Sequence, residues 1–345
     1  MGLNERFEKY IPMVESEIRA VFGDVPPELS EFYGMMEYHL GWRDRNLNPA
    51  RGNSGKRVRP VILLTVAEAV GGDVRDALPG AAAVELLHNF SLIHDDIEDN
   101  SPTRRHRPTV WAVWGVPQAI NTGDGMYSLA YRALLRLQGT GVPGDRILRA
   151  ITRFNETCIE LTEGQFLDMS FEERMYVTTE DYLRMVEGKT AALLSTSAFL
   201  GALLGGADDE VTARYATFGK QLGIAFQIED DIPGIWGDEE KTGKPAASDV
   251  LEKKKTLPII FGLMKEFGDS DDKPLTRIFE KEKITPQEAK EAARILDEYG
   301  ARAYANTLAA EAHQLAMTAL ENTGVRGEAQ DDLRALAEKL LGRES

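Results

Sequence analysis

The sequence predicts an all-α fold, a single large bundle of about a dozen helices. Apolar residues recur at helical spacing along nearly the whole chain, as in Phe7, Ile11 and Val14. Strand signals are scarce, and glycine and proline breaks separate segments of helix length. The breaks fall at residues 26–27, 71–72, 139–144, 205–206, 236–244 and 268–273. Because no linker divides the 345 residues, we expect residues 1–345 to form a single domain.

Composition narrows the function classes. The net charge of −16 and the pI of about 4.9 argue against broad binding to nucleic acid or to anionic membranes, which needs a basic surface. Cys158 is the only cysteine, so a disulfide framework is excluded and a reducing compartment is indicated. The apolar residues 191–207 are too short and too polar for a membrane span and predict a buried core helix. The N-terminal residues show neither a signal peptide nor an anchor, and we predict a cytoplasmic protein.

Two aspartate-rich segments end predicted helices. Residues 81–99 indicate one helix that is apolar for most of its length and acidic at its end, and residues 218–231 end in the same way. Asp95 and Asp99 are at i and i+4, so their carboxylates leave one face of the helix. This pair suits Mg²⁺, which accepts a few carboxylates, keeps waters and takes phosphate oxygens as its other ligands.

Basic residues follow each acidic segment. Those after the first are Arg104, Arg105 and Arg107, those after the second are Lys241, Lys244, Lys253, Lys254 and Lys255, and Lys56, Arg57 and Arg59 stand earlier. Any one of these runs alone is ordinarily a solvated surface. Two copies of the same acid-then-base order favour a phosphorylated ligand that is bound through Mg²⁺ and basic side chains.

Taken together, these motifs resemble the trans-isoprenyl diphosphate synthases, or polyprenyl synthetases, from about residue 55 to residue 258. The matching elements are residues 55–60, 85–88 and 95–99, Arg104-Arg105, Pro108-Thr109, Gly123-Asp124, Gly164-Gln165 with Asp168, Lys189-Thr190, Phe226-Gln227, Asp230-Asp231, residues 243–245, and Lys254 before residues 256–258. The resemblance implies an isoprenoid synthase fold with a central prenyl pocket. It also implies a homodimer.

The resemblance assigns roles residue by residue. It implies that Asp95 and Asp99 bind Mg²⁺ from one wall and Asp230 from the other, with Asp96 and Asp231 in support. The residues assigned to the allylic diphosphate are Arg104, Lys189, Lys244 and Lys254, and those assigned to isopentenyl diphosphate are Lys56, Arg59, His88 and Arg105. Three Mg²⁺ ions would assist ionisation of the allylic substrate, while Thr190 and Gln227 steady the resulting cation.

The sequence departs from the family pattern at several positions. Gly234 stands where a third aspartate of the second acidic motif is usual, and Asp238 or Glu239 is a candidate to compensate. His106 and Lys253 each replace a usual glycine, and Trp111 replaces a usual histidine. For His94, a structural role is favoured over that of a base.

Product length is expected to depend on the helix before Asp95. Phe90 lies five residues earlier, about 7.5 Å deeper along the helix, and would block elongation, while the small Ser91 leaves room beside it. The combination resembles short-chain synthases and predicts C15 to C20 products, with C20 preferred. The alternative is that Phe90 only packs in the core.

Three other functions stay open. A class I terpene cyclase uses the same metal chemistry but needs no second anion site, so Lys56, Arg59, His88 and Arg105 favour chain elongation. A non-catalytic partner subunit would fit Gly234, although the retained aspartates and arginines argue against it. A calcium-binding or purely helical scaffold leaves the basic residues unexplained.

Overall fold

The computed structural model describes residues 2–53, 55–237, 247–269 and 272–341. The N-terminal helices are α1 (Leu3–Phe22), α2 (Ser30–His39), α3 (Val58–Ala69), α4 (Val74–Glu98), α5 (Val110–Trp114), α6 (Val116–Leu135), α7 (Gly144–Glu172), α8 (Thr179–Val186) and α9 (Ala192–Gly205). They are followed by α10 (Asp209–Asp231), α11 (Pro233–Trp236), α12 (Ser248–Leu251), α13 (Leu257–Asp269), α14 (Pro274–Phe279), α15 (Pro286–Glu298), α16 (Ala301–Asn322) and α17 (Glu328–Leu341).

Other regular structure is minor in this part of the chain. Two short 3₁₀ turns span Pro27–Leu29 and Arg136–Gly139, and a π turn spans Glu187–Ala191. The strands β1 (Thr103–Arg104) and β2 (Arg107–Pro108) pair antiparallel. The predicted all-α class is therefore confirmed.

The chain divides into two compact units. The first consists of Met1–Arg153, Ser197–Thr212 and Val325–Leu333, and the second of Phe154–Thr196, Ala213–Gly324 and Arg334–Ser345.

The first unit is built around α4, which packs against α3, α6 and α1. Residues 81–87 of α4 are all buried, so this stretch of the helix is enclosed around its whole circumference rather than along one stripe. The predicted helix over residues 81–99 is confirmed, but it begins at Val74 because the Asp73 carboxylate accepts the Arg75 N–H as an N-cap. In α3, the Leu63 carbonyl lies so close to Gly201 that a Cβ at Gly201 would overlap it.

A buried polar network joins α1 to the Val325–Leu333 segment of the same unit. Arg6 is fully buried, and its guanidinium donates to Asp332 Oδ2 at 2.7 Å and to Glu68 Oε2 at 2.5 Å. Burying an arginine is costly unless it is paired, and these two carboxylates supply the pairing. The network therefore ties the beginning of the described chain to a segment more than three hundred residues later.

The second unit contains most of α10, a helix that the sequence predicts from residue 218 and that ends in two aspartates. The helix begins earlier, at Asp209, because Asp208 accepts the Val211 N–H through its side chain at 2.8 Å. Glycines let α10 approach its neighbour: a Cβ at Gly219 would overlap the Leu194 carbonyl. Two apolar clusters complete this unit, one around Tyr182 and Ile228 and one around Leu263 and Leu296.

The apolar segment at residues 191–207 forms α9, and its side chains are mostly buried. The predicted core helix is thus confirmed. In the described part of the chain, no helix combines the length and the apolar character that crossing a membrane requires.

Candidate active site

The acidic end of α4 presents the first pair of predicted metal ligands. Asp99 follows the last helical residue, and its N–H donates to the Asp95 carbonyl at 2.8 Å, which keeps the two residues one turn apart. Asp95 is half-buried and Asp99 is exposed. The negative end of the helix dipole lies here as well, so both carboxylates are in a position that favours a bound cation.

Asp96 differs from these neighbours because it is buried. Its Oδ1 accepts a hydrogen bond from Arg104 Nε at 2.6 Å, while its Oδ2 is buried and has no hydrogen-bond partner among the described residues. Burial raises the pKa of Asp96 to about 6, and the Arg104 charge partly offsets that rise. The ion pair fixes Arg104, a predicted diphosphate ligand, beside the first acidic motif.

Arg105 and His106 form the turn between β1 and β2. Both have positive φ, 53° and 61°, as a two-residue hairpin turn of this kind requires. The glycine usual in the family at position 106 is explained by this geometry, and His106 adopts it at a conformational cost. The turn brings Arg105 against Gly55, where a Cβ would lie 2.7 Å from Arg105 Nη2.

Arg59 and His88, both predicted to bind the second diphosphate, are in contact between α3 and α4. Arg59 Nη1 lies 3.2 Å from His88 Nε2. Burial and the charges of Arg59, Arg105 and Arg104 hold the pKa of His88 well below 6.5, so the imidazole is neutral near pH 7. Lys56 is exposed at the entrance to α3. Neighbouring Arg57 is buried and forms an ion pair with Glu85, so its role is structural.

In the second unit, consecutive aspartates at the end of α10 have different surroundings. Asp231 is buried and accepts hydrogen bonds from the Tyr182 hydroxyl at 2.7 Å, the Gln227 amide at 3.0 Å and the Leu257 N–H at 3.1 Å. Burial raises its pKa to about 7 despite these three donors. Asp230 is exposed. The arrangement fits the prediction that Asp230 is the direct metal ligand and Asp231 a support.

A π turn positions Lys189 and Thr190. The turn spans Glu187–Ala191, and the backbone there passes so close to α7 that a Cβ at Gly164 would overlap the Lys189 nitrogen. Lys189 Nζ pairs with Asp168 on α7. Thr190 Oγ1 donates to Gln227 Oε1 at 2.8 Å, so Thr190, Gln227 and Asp231 form one hydrogen-bonded chain.

The predicted lysines after the second motif are only partly described. Lys254 is exposed and pairs with Glu252 at 3.1 Å. Lys253, which replaces a usual glycine, has a φ of 54°, so its backbone keeps the left-handed conformation that favours glycine. Lys244 lies outside the described residues, as do Asp238 and Glu239.

Gly234 lacks the aspartate side chain that is usual at this position, but the carboxylate of another residue lies beside it. A Cβ at Gly234 would overlap the Asp249 carboxylate, which is buried and raises the pKa of Asp231. The space of a side chain at position 234 is therefore taken by an aspartate from α12.

Phe90 and Ser91 occupy the turn of α4 before the predicted metal ligands. The Phe90 ring is half-buried and packs against His94 at 4.8 Å and against Tyr127 of α6 at 5.1 Å between centroids. The His94 ring nitrogen Nε2 lies 3.2 Å from the Ile120 carbonyl, a contact that fits the structural role expected for this histidine. Ser91 donates its hydroxyl to the His88 carbonyl at 3.0 Å.

Comparison with known proteins decides the family. Residues 42–296 match the family described as polyprenyl synthetase. The chain belongs to the polyprenyl synthetase family. It is 48% identical over 225 residues to a (2E,6E)-farnesyl diphosphate synthase of Mycobacterium bovis, and this match covers 65% of the chain and 61% of the relative's length.

Longer matches agree with this assignment. A geranylgeranyl diphosphate synthase of Mycobacterium tuberculosis is 42% identical over 312 residues, which cover 90% of this polyprenyl synthetase chain and 86% of the relative. Among solved structures, the geranylgeranyl pyrophosphate synthetase of Pyrococcus horikoshii has a TM-score of 0.87 at 34% identity. This match covers 99% of the present chain and 98% of the Pyrococcus horikoshii chain.

The carboxylates fit the Mg²⁺ that polyprenyl synthetases use. In residues 2–53, 55–237, 247–269 and 272–341, no three histidine, cysteine, aspartate or glutamate side chains converge as a complete metal site. Mg²⁺ needs no such cage, because it keeps waters and completes its shell with substrate phosphate oxygens. The α4 pair Asp95 and Asp99 is a donor set of this kind, with the buried Asp96 in support.

Sequence reasoning missed roles that only packing reveals. Tyr182 was not singled out, because a tyrosine in α8 carries no motif signal, yet its hydroxyl supports Asp231. Asp168 and Glu85 were recognised as motif elements without a role, and the structure pairs them with Lys189 and Arg57.

Proposed function

We propose that this polyprenyl synthetase is a trans-prenyltransferase that condenses isopentenyl diphosphate with an allylic diphosphate: dimethylallyl, geranyl or farnesyl. Relatives named farnesyl and geranylgeranyl diphosphate synthase support this reaction class. The product is an all-trans prenyl diphosphate of C15 to C20, with C20, geranylgeranyl diphosphate, preferred.

One observation carries the choice of chain elongation. The first unit alone contains two kinds of anion-binding groups, the acidic end of α4 with Arg104 and the contact of Arg59 with His88 near Arg105. A metal-bound diphosphate uses the first group, and a second diphosphate uses the second. A terpene cyclase, which ionises a single diphosphate, has no use for a second cationic site.

The reaction replaces the allylic C–O bond by a C–C bond and moves a double bond. The allylic C–O bond ionises and both electrons leave with diphosphate. The isopentenyl double bond then attacks the allylic cation to form the new C–C bond, and the resulting cation loses a C–H proton to the released diphosphate while the electrons of that C–H bond form the new double bond. Magnesium ions, three in number and held by Asp95, Asp99 and Asp230, would supply the positive charge that stabilises the departing diphosphate. Arg104, Lys189, Lys244 and Lys254 bind the same diphosphate.

Thr190 and Gln227 are the residues that would stabilise the allylic cation. Because Thr190 donates its hydroxyl proton to Gln227, its oxygen lone pairs are what it offers to a positive carbon. Gln227 is itself oriented by the bond from its amide to Asp231. Neutral oxygen dipoles lower the energy of a cation without forming a bond to it.

We further propose that residues 1–345 act as one catalytic domain in a cytoplasmic homodimer. Apolar side chains on one face of α7 support self-association, because Ile159 and Phe166 stand seven residues apart and are 52% and 69% exposed. Sedimentation of the purified protein as a monomer would overturn the dimer while leaving the reaction untouched.

Steady-state kinetics tests the assignment of the two diphosphates. Arg59→Gln and Arg105→Gln should each raise the KM for isopentenyl diphosphate at least tenfold, since a hydrogen bond to a charged group contributes about 1.5–3 kcal/mol. The KM for the allylic substrate should change less than threefold. The exposed Arg75→Gln, from the same unit, is the matched control. Equal effects on both substrates would contradict two separate sites.

A further inference from the structure

His39, the last residue of α2, has a ring nitrogen that the fold leaves unpaired. Its Nε2 is buried and makes no hydrogen bond to any described residue. A buried donor or acceptor without a partner is destabilising, so native proteins rarely keep one without a ligand or a water to satisfy it.

His39 lines a narrow cleft of the first unit. The cleft has a volume of about 20 Å³, and its other polar walls are Tyr38, Asn53, Asp96, Thr109 and the three arginines Arg104, Arg105 and Arg107. This volume holds one water molecule or one oxygen atom of a larger group. The cleft is open to solvent, so one oxygen atom of a larger group can enter it while the rest of the group stays outside.

The charges around the cleft favour an anion. Three arginines line it against one carboxylate, Asp96, which is already paired with Arg104. Burial and the charges of Arg105, Arg104, Arg57 and Arg107 hold the pKa of His39 well below 6.5. The ring is therefore neutral near pH 7 and carries a single N–H. With that proton on Nε2, His39 is a neutral hydrogen-bond donor beside the arginines.

We propose that His39 is a further substrate-binding residue, whose Nε2–H donates to a terminal phosphate oxygen of isopentenyl diphosphate held by Arg105. The inference rests on the proposed function. It extends the second diphosphate site from α3 and α4 to the end of α2. A neutral donor adds a directed hydrogen bond there without increasing the repulsion among the arginines.

Kinetics of His39 variants tests this contact. His39→Leu should raise the KM for isopentenyl diphosphate roughly tenfold, since the lost bond is one to a charged oxygen. The kcat and the KM for the allylic diphosphate should stay within twofold. His39→Gln, which keeps an N–H donor, should recover most of the affinity. His39→Leu that raises both KM values equally, or that lowers only the melting temperature, would overturn the proposal.

His313 provides the matched control. Its Nε2 on α16 is also buried without a hydrogen-bond partner among the described residues, but it lines no part of this cleft. His313→Leu should therefore affect stability and leave the KM for isopentenyl diphosphate unchanged. If it raised that KM as much as His39→Leu does, loss of packing rather than loss of a ligand contact would explain both variants.

A measurement on the unmodified protein covers the case in which His39→Leu fails to fold. With only five histidines in the chain, the ¹⁵N resonances of labelled imidazoles are separable, and His39→Gln identifies the signal of His39. Isopentenyl diphosphate should shift its Nε2 resonance, whereas a signal that does not move would overturn the contact.

The same titration separates this proposal from the proposed function. If isopentenyl diphosphate is neither bound nor incorporated, the proposed function fails, and inorganic diphosphate becomes the probe for His39. If the His39 resonance does not shift when inorganic diphosphate is added, the contact is overturned as well.

Discussion

Each acidic motif places one aspartate in the interior and leaves its neighbour accessible. Asp96 and Asp231 are buried and hydrogen-bonded, whereas Asp230 is exposed and Asp95 half-buried. Successive helical residues point about 100° apart, so one of two adjacent carboxylates anchors the helix end while the other is presented to a ligand. In each motif the buried aspartate thus supports the helix end, and its neighbour is the proposed metal ligand.

Phe90 is the residue on which product length is expected to depend. Phe90→Ala removes a ring that packs against His94 and Tyr127. It should shift the products beyond C20, because the growing prenyl chain can then extend past position 90. Chain-length analysis of labelled products measures this shift.

Phe32→Ala is the control for Phe90→Ala, since Phe32 is also half-buried and packs edge-on against Tyr33. It should keep the wild-type distribution. An unchanged distribution in Phe90→Ala would reduce Phe90 to core packing and leave the chain-length account without support.

At the residue scale, the positions of side chains within one helix were predictable from the sequence, whereas their partners on other helices were not. The spacing of Asp95 and Asp99 placed both on one helical turn, because a single helix fixes it. The partners of Asp231 and Lys189 were not predictable, since Tyr182 and Asp168 come from other helices. The positive φ of His106 in the turn explains why the family usually has a glycine at this position.

At the scale of the element, the π turn at Glu187–Ala191 is the feature that periodicity did not predict. A π turn inserts one residue into a helical run, and its stability depends on what packs against it. Here the close approach of Gly164 and Gly188 provides the space. Helix starts were similarly hidden, because Asp73 and Asp208 lie outside the apolar runs that they cap.

Gly164→Ala should disturb the π turn, because its Cβ would overlap the Lys189 nitrogen. Overpacking of this kind costs about 1–3 kcal/mol of unfolding free energy. The displaced Lys189 should also raise the KM for the allylic diphosphate more than that for isopentenyl diphosphate. Urea denaturation and substrate kinetics measure the two effects.

Gly139→Ala is the matched control for this substitution, since a Cβ at Gly139 would meet no atom within 4 Å. It should leave both stability and kinetics near wild type. If Gly164→Ala were as harmless as Gly139→Ala, the close approach would not position Lys189.

For the whole molecule, two histidines with lowered pKa values favour the unfolded chain in acid. The pKa values of His39 and His88 lie well below 6.5 in the folded protein, whereas both return to about 6.5 on unfolding. At these two sites the unfolded chain therefore binds more protons below pH 6.5, which lowers stability as pH drops through that value, while the raised pKa values of Asp96 and Asp231 act in the opposite direction. Each histidine contributes a slope of about 1.4 kcal/mol per pH unit.

Urea denaturation between pH 7.5 and about pH 5 tests this dependence. His88→Gln should reduce the acid slope by about 1.4 kcal/mol per pH unit. The exposed His106→Gln is the control. Identical slopes in wild type, His88→Gln and His106→Gln would show that the His88 imidazole does not contribute to the pH dependence.

The helical class was predictable for the whole molecule because almost every segment carries the same helical period. The division into two compact units was not, since each is assembled from stretches far apart in the chain. Short-range periodicity holds no information about such long-range contacts.

Incubation of the purified protein with Mg²⁺, labelled isopentenyl diphosphate and, separately, dimethylallyl, geranyl and farnesyl diphosphate tests chain elongation itself. We expect label in a C15 to C20 prenyl diphosphate, with C20 the main product, and none when the allylic substrate is omitted. Release of a cyclic hydrocarbon, or no incorporation with any allylic substrate, would contradict chain elongation.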